Sequence, residues 1–219
     1  MNPMSINASE GYISWMAGKL QENKCVENIE VIGDGTLVIN TTQGDTYLIG
    51  AINTGRITCP ELNEYLDNKK IDFLSVKGGV EFISGDAMRL LEQKKIGVGS
   101  FGHIASSLRA NNPLEHLDKE HLFINRVFNQ HSHVSSVERE TNKKYRLKRR
   151  GLADLVIIAA NDYDMTAGSV RDAIGLHGNC DVVFSSNPNG RLTTQAKEAA
   201  QSIGVELYKL GDLLRRISR

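Results

Sequence analysis

Three groups of residues have types and spacings that could do chemistry. The densest is Lys143-Lys144-Tyr145-Arg146-Leu147-Lys148-Arg149-Arg150, six basic side chains in eight positions. Strand alternation puts Lys144, Arg146, Lys148 and Arg150 on one face and Tyr145, Leu147 and Arg149 on the other. Such a ridge would meet nucleic-acid phosphates, with Tyr145 placed to stack on a base. The same letters also read as a solvated hairpin balanced by Glu138 and Glu140, or as a charged edge that deters strand pairing. The second group is Asp162 and Asp164, which with Asn161 could form a small oxygen site for Mg²⁺, or simply a solvated strand end and turn. The third is His116, His121, His131 and His133. No cysteine or carboxylate lies at metal-ligand spacing from them, so no zinc site is expected. His131 and His133 follow a helix end, where a cationic imidazole suits the helix dipole.

Other signatures are missing. Gly78-Gly79 and Asn187–Gly190 follow strands but lack the GxxxxGK[ST] or GxGxxG context of a phosphate cradle, so they read as turns. No Gly-x-Ser-x-Gly and no Cys–His pairing marks a covalent nucleophile. Neither a cofactor nor a bound metal is called for.

The composition sets outer limits. The 219 residues carry 26 basic and 26 acidic side chains, so no global field points to nucleic acid or a membrane. The split is uneven: 10 basic and 13 acidic in residues 1–112, against 16 and 13 in 113–219. Cys25, Cys59 and Cys180 are scattered and form no CxxC pair, which fits reduced thiols rather than a disulfide framework. No signal-peptide pattern opens the chain, and no apolar run approaches the roughly 20 residues that cross a bilayer. A cytoplasmic protein is expected.

The elements that must position these groups follow a cadence used twice. In residues 1–111 the order is a helix at Ser9–Glu22, with Ser9 as N-cap, then strands Glu27–Ile32 and Leu37–Thr41 joined by Gly33-Asp34-Gly35. An apolar strand Tyr47–Ile52, a helix after Pro60, strand Ile71–Val76, a helix capped by Ser84, a short strand and a helix Phe101–Leu108 follow. In residues 113–219 the same order runs through Asp118–Gln130, Val134–Glu140, Tyr145–Arg150, Leu155–Ala160, Ser169–Leu176, Asp181–Ser185, Gln195–Ser202, Val205–Tyr208 and Leu210–Ile217. The helix at Gln195 has Thr193 or Thr194 as cap. Asn111-Asn112-Pro113 reads as the boundary. A constant, gapless offset of 109 residues pairs Asp45 with Asp154, Ala51 with Ala160, Asp72 with Asp181, Ala87 with Ala196 and Gly102 with Gly211. The predicted fold is α/β, two tandem units packed as a pseudo-dimer.

This order resembles the core of the PD-(D/E)XK nuclease superfamily, restriction-endonuclease-like folds of the Mrr and Holliday-junction-resolvase type. The most similar stretch is CDVVFSSNPNGRLTTQAKEAAQSIGVELYKLGDLL, with a weaker counterpart in IDFLSVKGGVEFISGDAMRLLEQKKIGVGSFGHIASSL. The resemblance implies an acid near the second strand and an E-x-K on the third, holding Mg²⁺ beside the scissile phosphate. Here Tyr47–Ile52 and Leu155–Ala160 contain neither acid nor lysine. Leu37–Thr41 is uncharged, and every charge in Tyr145–Arg150 is positive.

The expected function is therefore that of a non-catalytic nuclease-fold protein. It would bind nucleic acid through Lys143, Lys144, Tyr145, Arg146, Lys148, Arg149 and Arg150, alongside a protein partner or a second copy of itself. A phage, plasmid or defence setting fits the resemblance. A divergent Mg²⁺-dependent nuclease using Asp162 and Asp164 is one alternative. A purely protein-binding structural or inhibitory module is the other.

Overall fold

The structure is a computed structural model that describes residues 10–32, 35–110 and 118–219. The chain is mixed α/β and divides into two compact units, Met1–Leu117 and Asp118–Arg219. The expected boundary Asn111-Asn112-Pro113, the cap Ser9, the turn residues Gly33 and Asp34, and His116 lie outside the described residues.

In the first unit, α1 (Glu10–Gln21) buries Tyr12, Ile13, Met16, Ala17 and Leu20 at helical spacing. Strands β1 (Val26–Ile32), β2 (Thr36–Thr41) and β3 (Thr46–Ile52) form an antiparallel meander. Then come β4 (Arg56–Ile57), α2 (Cys59–Leu66), β5 (Phe73–Val76), β6 (Phe82–Ile83), α3 (Gly85–Lys94), β7 (Gly97–Gly99) and α4 (Phe101–Ala110). The main sheet is ordered β1-β2-β3-β5-β7, with the last two pairings parallel. Helices α1 and α4 cover one face through Met16, Ile49, Phe73 and Ile104. Helices α2 and α3 cover the other through Leu62, Ile52, Leu74 and Leu91. Burial on both faces is why the β3 and β5 sequences are nearly continuous apolar runs.

The second unit runs α5 (Lys119–Asn129), β8 (Val134–Arg139), β9 (Lys144–Arg149), β10 (Leu155–Ala160), β11 (Asp164–Met165) and α6 (Ala167–His177). It continues with β12 (Val182–Ser185), β13 (Arg191–Leu192), α7 (Thr194–Ile203), β14 (Glu206–Lys209) and α8 (Leu210–Ile217). Its sheet, β8-β9-β10-β12-β14, repeats the order of the first and the direction of every pairing. Helices α5 and α8 pack on one face, α6 and α7 on the other.

The correspondence reaches into details. The edge strands β1 and β8 carry a register shift in the same place, between Val26 and Asn28 in β1 and between Val134 and Ser136 in β8. Asp72 Oδ2 accepts from Leu48 N at 2.8 Å, and Asp181 Oδ2 accepts from Val156 N at 2.7 Å, each pinning the start of the apolar strand. Replacing Asp181 by alanine is expected to lower the urea midpoint by the equivalent of about 1 kcal/mol. An unchanged midpoint would remove Asp181 from that role. Ser84 Oγ accepts from Ala87 N and Thr193 Oγ1 from Ala196 N, which assigns the second cap to Thr193 rather than Thr194.

The gapless offset of 109 is corrected. Ladder registers set Ile49 beside Phe73 and Ile157 beside Val182, so the third strands are 108 residues apart and the fourth strands 109. Ala51 therefore matches Ala159 rather than Ala160. The extra residue arises between the start of α6 and β12: α6 has 11 residues where α2 has 8, and the linker after it has 4 where the linker after α2 has 6. Also absent from the sequence reading are two parallel ribbons, β4–β6 and β11–β13, which pair two residues each. Elements that short have no periodicity to read. Among the described residues no helix is long and apolar enough to cross a membrane.

Candidate nucleic-acid interface

Strand β9 lies between β8 and β10, so its two faces meet different surroundings. Tyr145 and Leu147 point into the core beneath α5 and α8. Tyr145 is 1 % exposed, its ring lies parallel to that of His121 with centroids 5.7 Å apart, and its hydroxyl is 3.3 Å from His121 Nδ1. A ring held there has no face to offer a base, so the expected stacking role for Tyr145 is corrected. Burial pushes its phenol well above the ordinary range, so it remains protonated.

The basic side chains divide into two sets. Lys143 pairs with Glu120, whose other oxygen accepts from Ser186 Oγ. Lys144 and Arg146 both reach Glu140, at 3.4 and 2.6 Å. Arg149 Nε donates to Ala153 O at 2.7 Å, and its Nη1 donates to Arg219 O at 2.7 Å and Ile217 O at 3.2 Å. It is a clamp on the end of α8. Desolvation and the neighbouring Arg216 lower its pKa from the usual guanidinium value. Lys148 and Arg150 differ: both are exposed, and neither joins an ion pair among the described residues. Arg150 N donates to His133 O at 2.8 Å, which sets His133 beside this end of the strand. His131 Nε2 lies 3.1 Å from Leu214 O, and its Nδ1 accepts from His133 N at 3.2 Å.

Glu120, the counter-charge of Lys143, and the ion pair of Asp118 with Arg139 are not among the residues that the sequence pattern singled out. Asp118 is the N-cap of α5, accepting from His121 N at 3.0 Å, and it also holds Arg139, which donates to Asn142 O at 2.8 Å. Burial pushes the Asp118 carboxyl up, but the His121 N–H and the Arg139 guanidinium outweigh it and bring the pKa below the usual carboxylate value. An acid at the N-cap and another in the first turn is the sequence signal that could have found Asp118 and Glu120.

His121 is held below the ordinary imidazole value by burial first and Arg139 second. Folding thus favours its neutral form. Its contribution to stability is full above the unfolded value of about 6.5 and falls away as pH drops through that value toward the folded pKa. An NMR titration of the His121 ring protons should give a midpoint below about 6.5. A midpoint at or above it would mean that the ring is not desolvated.

The chain matches no protein-family model, no curated protein and no solved structure.

Asp162, Tyr163 and Asp164 are all exposed at the end of β10, with Asp164 paired in register with Arg191. Among the described residues no group of three or more His, Cys, Asp or Glu side chains could hold a metal ion. The three cysteines are free, and burial raises the Cys180 thiol to about 11, so it stays protonated near neutrality. The arrangement offers an outward face of β8 and β9 on which Lys144, Arg146, Lys148 and Arg150 outnumber Glu138 and Glu140 by two, with the excess at the Lys148 end.

Proposed function

We propose that this protein is a non-catalytic binder of nucleic acid, built from two copies of a restriction-endonuclease-like unit, and that it acts in the cytoplasm together with a protein partner. Support for the duplicated design comes from the common strand order, the bulge repeated in β1 and β8 and the matching Asp72 and Asp181 contacts. The observation that carries the non-catalytic reading is the composition of β3 and β10. Their sequences TYLIGAI and LVIIAA hold no carboxylate and no lysine where the PD-(D/E)XK pattern needs both. Lys148 and Arg150 carry the binding reading, since both are exposed and their charge is not taken up by an ion pair among the described residues.

The test is a titration of labelled single- and double-stranded DNA and RNA at about 50 mM and about 150 mM salt, with and without Mg²⁺ or Mn²⁺. Binding that weakens steeply with salt, without cleavage, is expected. Metal-dependent cleavage lost in Asp162→Ala would replace this reading with a divergent nuclease. No binding at low salt would replace it with a protein-interaction module.

A further inference from the structure

The first unit has an open groove of about 480 Å³, lined among others by Tyr12, Trp15, Lys77, Gly78, Ser100 and Phe101. These residues come from α1, the turn after β5 and the start of α4. The groove therefore sits outside the carboxyl ends of the parallel strands β5 and β7, on the face covered by α1 and α4. That is where open α/β sheets bind ligands, and the volume is in the range that small molecules occupy.

Its walls are aromatic. Trp15 stacks on Tyr12 with centroids 5.8 Å apart and planes 17° from parallel, and it meets Phe101 edge-on at 4.8 Å. Tyr12 is buried, with its hydroxyl 3.0 Å from Ser75 Oγ, whereas Trp15 is 48 % exposed. A large indole is thus held rigid from one side and bare on the other, a surface that suits a flat ring. Lys77 is exposed at the groove and joins no ion pair among the described residues, which favours a ligand carrying negative charge. Glu10, the acid nearest in sequence on α1, precedes Gly11 by about 100° of helical turn, away from Tyr12 and Trp15.

The second unit shows what a closed version looks like. Strand registers match Tyr12 with Glu120 and Lys77 with Ser186, and there Glu120 satisfies both Ser186 and Lys143. In the first unit the same place has aromatic rings and a cation that no acid among the described residues pairs with.

We propose that this groove binds a small flat aromatic anion with the chemistry of a nucleoside monophosphate, its ring against Trp15 and Phe101 and its phosphate on Lys77. The site lies wholly in the first unit and does not depend on β9. Trp15 is the only tryptophan of the chain, so its fluorescence reads the groove in the intact protein. Titration with adenosine monophosphate should give a saturable change, with matching heats by calorimetry. Adenosine and inorganic phosphate should each bind about tenfold more weakly, and Lys77→Ala should reduce the nucleotide to the level of adenosine. A 5′-phosphorylated tetranucleotide separates two sources of the ligand: tighter binding than the mononucleotide assigns a strand end, weaker binding a free nucleotide. No saturable signal or heat with either probe, or nucleotide affinity unchanged in Lys77→Ala, would overturn the proposal. Lys148→Glu with Arg150→Glu should leave mononucleotide binding intact, so failure of the groove and failure of the β9 reading are told apart.

Discussion

Alanine in place of Phe184 is expected to destabilise the second unit by about 4 kcal/mol. Phe184 lies on β12, flanked by β10 and β14, and is completely buried. Its ring meets Phe128 of α5 edge-on, centroids 5.8 Å apart and planes at 76°, so one truncation removes a contact between sheet and helix as well as its own burial. Transfer of the ring to water and the cavity left behind both contribute, and an edge-to-face pair adds about 0.5–1.5 kcal/mol. Tyr145, Leu147, Leu213 and Ile217 share the cluster, so the strand carrying the basic face and the clamped helix α8 should loosen with it. Urea unfolding followed by circular dichroism measures the loss. A cost below about 1 kcal/mol would mean that the neighbours collapse into the space and that the cluster is not the keystone of the unit.

The second large effect concerns binding. Lys148→Glu combined with Arg150→Glu should weaken nucleic-acid affinity about a hundredfold at low salt and reduce the dependence of log K on log salt by about two. Lys143→Gln and Arg146→Gln should behave differently. Their charges are already taken by Glu120 and Glu140, so affinity should move by less than about threefold while stability falls, because each change takes one cation from a half-buried carboxylate and leaves Glu120 with Ser186 alone and Glu140 with Lys144 alone. Electrophoretic or fluorescence titration of the three variants checks the ranking. If Lys143 and Arg146 mattered as much as Lys148 and Arg150, the ion pairs would have to open on binding and the division of the ridge would be wrong.

Much of the fold is legible in the letters. The runs YLIGAI and LVIIAA declare strands covered on both faces, Ser84 declares a helix start, and the order of the helices and longer strands is recoverable, though the two-residue ribbons are not. The site is less legible, for a physical reason. Whether a lysine is free depends on which carboxylate folds onto it, and Glu120 reaches Lys143 from 23 residues away, through a helix whose placement on the sheet no local pattern specifies. Tyr145 is a different kind of miss. Alternation had already put it on the same face as Leu147, and a face that holds a leucine in a central strand is the buried one, so the tyrosine could have been read as core. The offset of 109 misled because matching letters, Ala51 with Ala160, stood one residue from the true partner Ala159, and only the ladder fixes register.

The repeated irregularity in β1 and β8 bears on how the protein behaves at high concentration. Each strand ends its sheet, so one side of its backbone pairs with no strand among the described residues. Val31 and Ile32 make the β1 rim stickier than most, since both are substantially exposed. An incoming strand that began to pair there would lose step at the shift between Val26 and Asn28, and one adding to β8 would do so between Val134 and Ser136. Edge-to-edge growth is thereby interrupted at the start of the β1 and β8 rims, while the opposite rims, β7 and β14, offer an incoming strand only 3 and 4 residues to pair with.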